Sequence, residues 1–490
     1  MTVQPLVLRS NRAPVGLAAQ SDSWALLPLR FHRLSDDAVL LTNLVGEHAF
    51  VTEDELLSVV DGTCQNQPLL AELRAKHMIA APGEQLPAEL LAMKLRTRMR
   101  RLPDSTALHM FVLTLRCEHT CRYCQVSRQA TARTEFDMSQ ETAAKALALA
   151  FRSPSPRLKI EFQGGEPLLH LDRLKWVVQE AKRLNTHHGK ELAFVIATNL
   201  ALMDEPIIDF CRSEGVQIST SLDGPEDLHN LNRRRPGQDS WRKTVEGIRL
   251  VQDRLGPDSI SALMTTTEAS LPRVRDIIDT YVDLGLHSIF LRPISPYGFA
   301  TRARAGAGYG AARWLEFYRQ GLDYIIELNR KGVPIVEVYA AIAAKKIFTN
   351  DDPGYVDLTS PAGIGIGGLV YNYDGNIYAS DEGRMLAEMK DNTFLLGTVN
   401  DSYEDILLSE QLLNPLEASV TTSAPMCSTC AFEPFCGADP VYHHTTQGDP
   451  VGHKAFSDFC RRNMGIFTTL LQLAREDPFT RRLLRRWGSR

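Results

Sequence analysis

Residues 107–125 read ALHMFVLTLRCEHTCRYCQ, and this stretch decides the fold. Its first nine residues form an apolar run of strand length that stops at Arg116, and three cysteines follow at Cys117, Cys121 and Cys124. Three thiolates on one short loop can hold three corners of a cubane iron-sulfur cluster, and closing the site takes a fourth cysteine nearby. The next cysteines in the chain, Cys64 and Cys211, lie far off in sequence. One iron would therefore stay open to an exchangeable ligand. A zinc site would need a fourth ligand, for which His119, between two cysteines, is badly oriented.

Working outward, the apolar run recurs. LKIEF (158–162), LAFVIATN (192–199), VQISTSLD (216–223), ISALMTTT (260–267) and LHSIFLRP (286–293) read as five more buried strands. The segments between them, Gln140 to Phe151, Leu171 to Thr186, Glu205 to Glu214, Trp241 to Leu255 and Pro272 to Leu284, carry helical periodicity. Alternation of this kind predicts an α/β fold, a partial (β/α)6 barrel of parallel strands over residues 96–300 with its site at the strands' C-terminal ends.

Residues 1–24 read as a loose arm. Residues 25–95 read as a small α+β, winged-helix-like unit: two extended runs, LLPLRFHRL and AVLLTNL, then helical EDELLSVV and QPLLAELRAKHMI. Beyond the barrel, 301–358 reads as a linker and a helix, the Gly/Ala/Arg-rich stretch FATRARAGAGYG marking a linker or mobile loop. Residues 359–465 read as a separate small cysteine-rich domain with a hairpin at Asp374-Gly375, and 466–490 as a helix and a basic tail, solvated or helix-terminal.

The chain has 490 residues, 44% of them hydrophobic and 23% charged, and a formal charge of −5. That composition belongs to a globular protein and lacks the bulk basic charge of a nucleic-acid or membrane-surface binder. No signal-peptide pattern and no apolar run of membrane-spanning length occurs, which predicts a cytoplasmic protein; there, clustered cysteines serve as metal ligands or reactive thiols. A second cluster, Cys427, Cys430, Cys436 and then Cys460, can close a site completely, around structural zinc or a saturated [4Fe–4S] cluster. Of the remaining two, Cys211 falls on a helix's apolar face and reads as core, and Cys64 falls in a turn and reads as incidental.

The Cys-x3-Cys-x-aromatic-Cys pattern, with Tyr123 as its aromatic, resembles the signature of radical S-adenosylmethionine (SAM) enzymes. The resemblance implies two cofactors at this loop, a [4Fe–4S] cluster and SAM, whose amino and carboxylate groups chelate the open iron. Gly164-Gly165-Glu166-Pro167 resembles the family's Gly-Gly-Glu-Pro motif, in which Glu166 would accept from the SAM ammonium and the glycines admit close backbone approach. Thr198, Asn199, Ser219, Ser221, Asp223 and Arg292, at later strand ends, would contact its ribose or carboxylate.

The C-terminal cysteines resemble the SPASM extension of peptide-modifying members, anaerobic sulfatase maturases among them. That extension usually holds two auxiliary clusters. Here SPAGIGIGG, Ser380 and Pro440 stand where ligands of the first are expected, so the resemblance implies one auxiliary [4Fe–4S] cluster. By the same likeness to the maturases, Asp381 would be a catalytic base.

The N-terminal unit resembles elements that capture leader peptides of ribosomally made precursors. The whole combination resembles the radical maturase of His-Xaa-Ser peptide systems. It implies a precursor peptide substrate, a paired second radical enzyme, and a reductant such as ferredoxin or flavodoxin. A sulfatase-type maturase oxidising Ser or Cys, and a non-enzymatic peptide-binding scaffold with a structural metal, are the alternatives.

Overall fold

The computed structural model describes residues 24–298 and 309–489. Both the arm and the Gly/Ala/Arg-rich stretch lie almost wholly outside them. Trp24, assigned to the arm, is instead buried in the N-terminal core, its indole N–H donating to the Val59 carbonyl.

Six strands build the barrel: β1 (Leu108–Thr114), β2 (Arg157–Gly164), β3 (Glu191–Thr198), β4 (Val216–Ser221), β5 (Ile260–Thr265) and β6 (Leu291–Arg292). Each pairs in parallel with the next. Helices over 140–152, 171–188, 205–214, 240–255 and 274–283 fill the crossovers, with Ser139 and Asp204 capping two of them through their side chains. Consecutive parallel strands with a helix in every crossover put all six C-terminal ends on one rim, where the cysteine loop begins. The sixth strand is shorter than the apolar run suggests. Ser288–Ile289 leaves the barrel to pair with Val336–Glu337, and only Leu291–Arg292 stays with β5.

The predicted separate C-terminal domain is joined to the barrel. Its strand β7 (Gly368–Tyr371) hydrogen-bonds in parallel to β1 and continues the sheet into β8 (Asn376–Tyr378) and β9 (Leu395–Thr398). The physical reason is that β1 is the barrel's open edge, and an edge of unpaired N–H and C=O groups is covered here by the next strand available. The Asp374-Gly375 hairpin is present, Gly375 taking φ +88°.

The N-terminal unit holds a three-stranded antiparallel sheet (Leu29–Ser35, Ala38–Asn43, His48–Val51) and helices over 53–60 and 67–75. Thr52 and Glu55 form a capping box at the first of these. Cys64 is not an incidental turn residue: it is 5% exposed in this unit's core. Cys211 is core as expected, 1% exposed.

Two terminal readings also change. Cys460 lies in the first turn of a helix over Asp458–Glu476, so the division at 465 falls inside one element. The basic tail folds as an amphipathic helix, Pro478–Gly488, burying Leu483, Leu484 and Trp487 while its arginines face outward. No helix among the described residues is long and apolar enough to cross a membrane.

Candidate active site

The cysteine loop is anchored at both ends. At its root, Arg116 forks onto Asp137 with two 2.7 Å bonds, and Asp137 also accepts from Thr114 at 2.6 Å. At its far end Thr120–Cys121 pairs as a strand with Arg233–Arg234, and the Arg122 amide donates to the Asn232 carbonyl at 2.8 Å. Tyr123 and Asp223, expected at the cofactor, bond to one another: the phenol donates to both carboxylate oxygens, at 2.9 and 2.7 Å. Arg233 lies 3.6 Å from the same carboxylate and over the Tyr123 ring. Both side chains are thus committed to holding the loop.

Gly164 and Gly165 explain how β2 meets the loop. A Cβ on Gly164, at φ +128°, would stand 2.1 Å from the Thr114 carbonyl oxygen, and one on Gly165 would stand 2.2 Å from that of Arg116. The close approach the glycines permit is therefore to the chain's own backbone at the root of the cysteine loop. It presents Glu166 beside the cysteines. This carboxylate is fully buried and accepts from the Thr198 hydroxyl at 2.7 Å, the Asn199 amide at 2.8 Å and the Leu168 amide at 3.1 Å. Burial, with the Glu118 carboxylate nearby, still pushes its pKa up to about 7. A ligand ammonium would restore the carboxylate, which fits the role expected of Glu166. Thr198 and Asn199 serve it by positioning.

Asn199 Nδ2 also lies 3.9 Å from Cys117 Sγ. Ser219 and Ser221 sit on one face of β4 near its end, half-buried. His119 is not free to ligate: its ring nitrogens bond to Ser240 Oγ at 2.8 Å and Glu118 at 3.1 Å.

Burial raises the Cys117 thiol well above its ordinary pKa and pushes Cys121 up to about 12. Buried thiols in such a setting ionise on a cation, so the donor set suits a metal or cluster. Among the described residues, the one trio of candidate ligand atoms mutually within 4.8 Å is Cys117, Glu118 and His119. Neither cysteine set draws three sulfurs that close. A single tetrahedral ion requires close sulfurs, whereas a cubane receives each thiolate on a different iron, so the spacing fits the cluster better.

The C-terminal cysteines are brought together by two elements. Cys427, Cys430 and Cys436 come from one loop and Cys460 from the helix start; Cys436 lies in the field of the other three. Burial pushes Cys430 up to about 11 and Cys460 up to about 12. Lys454, 3% exposed, faces three of these thiols, a cation that no motif singles out. The N-terminal sheet is fastened to the same loop. Arg30 pairs with Glu433 at 2.9 Å, both buried, and donates to the Ser428 carbonyl at 2.7 Å; Thr42 donates to Ala431 and Arg98 to Pro434.

Arg292 and Asp381 belong to neither cysteine site. Arg292 is half-buried beside Tyr355, Glu382 and Asp357, lining a cavity between β6 and the helix over 458–476. Asp381 stands outside that cavity, 3.2 Å from Arg384, in the first turn of a helix capped by Ser380. Its neighbour Glu382 lines the cavity, with Asp357 and Asp439. Sequence reading missed these three acids, which carry no motif; only the position next to Asp381 pointed toward them.

The family model for the radical SAM superfamily matches residues 111–281, the span from β1 to the helix before β6. The chain carries a radical SAM enzyme domain. An uncharacterised protein of Methanocaldococcus jannaschii is 25% identical over 184 residues, 38% of this chain and 61% of that protein. The cysteine-type anaerobic sulfatase-maturating enzyme of Clostridium perfringens is 24% identical over 157 residues, 31% of this chain and 42% of the enzyme. The matches thus span less than two thirds of these relatives' lengths. Among solved structures, native anSMEcpe with bound AdoMet superposes at TM-score 0.65 and 15% identity, covering 78% of this chain and 99% of that one. SuiB of Streptococcus suis, bound to its precursor peptide SuiA, gives 0.52 and 12%, covering 90% and 99%. At these identities the radical SAM likeness is one of fold, and it extends beyond the barrel to most of the chain.

Proposed function

We propose that this radical SAM protein modifies a ribosomally made precursor peptide, abstracting hydrogen from one of its residues in a system of the His-Xaa-Ser type. The observation that carries the reading is the anchored loop of Cys117, Cys121 and Cys124 facing the ligand-ready carboxylate of Glu166. Bound there, a [4Fe–4S] cluster and SAM would supply a 5′-deoxyadenosyl radical on one-electron reduction, from a donor such as ferredoxin or flavodoxin. The chain's own residues orient and shield. Arg116, Tyr123, Asp223 and Arg233 fix the loop, Glu166 takes the SAM ammonium, and the strand ends exclude water. Cys427, Cys430, Cys436 and Cys460 would hold an auxiliary [4Fe–4S] cluster which, having no open iron, relays an electron or stiffens the wall.

Residues 25–95 would capture the leader. Support comes from the sheet order, in which strands 29–35 and 48–51 have no further strand partner among the described residues. A leader could add to such an edge through main-chain hydrogen bonds. A paired second radical enzyme would act on the same precursor. Oxidation of a sulfatase Ser or Cys is the second reading, favoured by the similarity to the Clostridium perfringens enzyme.

The test is iron, labile sulfide and 5′-deoxyadenosine per chain after anaerobic reconstitution with dithionite, on wild type and the Cys117/Cys121/Cys124→Ala triple variant. About eight irons falling to about four, with loss of deoxyadenosine, is the expected result. Wild type that leaves SAM intact overturns the radical reading, and about four irons plus one zinc would make the C-terminal site structural. Mass change in a His-Xaa-Ser peptide but not in a sulfatase peptide separates the two substrates.

A further inference from the structure

The cavity lined by Arg292 includes neither Glu166 nor any of the cysteines, and its lining comes from well-separated parts of the chain. β6 gives Arg292, the loop before β7 gives Asp357, the helix after β8 gives Glu382, and the segment after Cys436 gives Asp439. Helices over 311–330 and 458–476 close it with Trp314 and Asn463. Tyrosines 339 and 355 meet edge to face at 5.9 Å on one wall, and Tyr442 packs on Phe459 at 5.8 Å on another.

Two features of the lining point to a ligand. First, three carboxyls face two guanidiniums, Arg292 and Arg462, and the pairing is uneven. Asp357 has Arg292 and the Tyr355 hydroxyl, and Asp439 caps a helix by accepting from the Tyr442 amide at 2.9 Å. Glu382 has carboxylates on most sides, Asp357, Asp381 and Asp439, with Arg292 the weaker opposing influence; burial and these neighbours push it up to about 8. Second, three buried polar atoms on the lining have no hydrogen-bond partner among the described residues: Tyr297 Oη, Trp314 Nε1 and Asn463 Nδ2. Their residues are only 2–3% exposed, and the Tyr339 hydroxyl already occupies Asn463 Oδ1 at 2.7 Å, which leaves the amide nitrogen for another acceptor. A buried donor left without an acceptor is destabilising, so a lining that keeps three suits a ligand that supplies acceptors.

We propose that this cavity binds a basic residue of the peptide substrate, its cationic side chain against Glu382, Asp357 and Asp439 and its backbone carbonyl accepting from Trp314 and Asn463. The assignment deepens the peptide-modifying reading and rests on it. A cation supplies what the three carboxyls lack, a carbonyl supplies the acceptor that the indole and amide N–H groups lack, and the tyrosine walls favour a cation over a neutral chain. An acidic side chain would add a fourth carboxyl to the three, and an aliphatic one would leave Glu382 without an opposing cation.

The experiment uses the full, reconstituted chain and four probes: the N-acetyl, N′-methylamides of lysine, arginine, norleucine and glutamate, titrated by calorimetry. Lysine and arginine probes should bind at least ten-fold more tightly than norleucine, with glutamate weakest. Because burial and the neighbouring carboxyls push Glu382 up to about 8 and Asp439 up to about 7, binding of a basic probe should release protons, read as a heat that changes with the buffer's ionisation enthalpy. Glu382→Gln should lower the basic probes' affinity at least ten-fold and reduce that release. Trp314→Phe, which keeps the charges, should weaken all four probes by a few-fold. Equal binding of norleucine, absence of binding by both basic probes, or unchanged affinity in Glu382→Gln with an unaltered circular dichroism spectrum overturns the proposal. Should Glu382→Gln not fold, preference for norleucine over lysine in Trp314→Phe does the same. None of these results bears on deoxyadenosine formation, so failure of the cavity and failure of the radical reading are told apart.

Discussion

The two cysteine sites are made in opposite ways. The first is local: Cys117, Cys121 and Cys124 fall within eight residues on one loop, and the fold's part is to anchor that loop to Asp137, Asp223 and strand 233–234 at the rim of the barrel. The second is assembled: its fourth sulfur arrives on a helix 24 residues after Cys436, Lys454 comes in from between, and the N-terminal sheet, some 400 residues earlier, clamps the loop through Arg30. The first sits at the strand ends of the barrel, whereas the second is wrapped by distant parts of the chain. Damage should accordingly be chemical in the first case and structural in the second.

The largest contrast should come from Glu166→Gln. It removes the charge that would hold the SAM ammonium while keeping the shape, so deoxyadenosine production should fall at least 100-fold with iron content unchanged, the cost of losing one charge-assisted contact in a buried site. Equal activity would break the comparison at its first term.

Next, Arg30→Met should act on the second site only. Removing one partner of a buried ion pair costs about 3–5 kcal/mol, because Glu433 is left uncompensated. The expected result is a lower melting temperature and loss of iron from the C-terminal site, with the radical cluster's EPR signal retained.

Tyr123→Phe should be milder. It leaves Asp223 with Arg233 but without its phenol, a loss of about 1–3 kcal/mol, visible as faster loss of the radical cluster's iron to a chelator and little change in the C-terminal site.

A further effect concerns pH. Glu382 faces Asp357, Asp381, Asp439 and Arg292, and its pKa stands near 8 against an ordinary 4.5. A carboxyl raised in the folded state gives a stabilising contribution present below its ordinary pKa and lost as pH climbs toward 8. Melting temperature should therefore drop between about pH 5 and pH 8, and drop less in Glu382→Gln. Identical pH profiles would remove the uncompensated acid from the account.

Much of the barrel was legible because buried parallel strands are apolar runs and their crossovers carry a helical period; five of six appear within a residue or two of the expected ends. The sixth was misjudged, since an apolar run does not say which neighbour its residues will pair with, and 288–289 pair with 336–337. The same limit hid the junction of β7 with β1.

What the sequence by itself determined is the identity and spacing of the thiols and the alternation that puts them on a strand's C-terminal end, because both depend on residues close together in the chain. Tertiary structure alone decided which polar groups are spent and which are left over. Tyr123 and Asp223, read as cofactor contacts, are consumed by each other. Glu382, beside the aspartate the sequence singled out, becomes the acid inside a cavity. Hydrogen-bond satisfaction and burial are properties of neighbours in space, and the chain brings Tyr123 and Asp223 together from 100 residues apart.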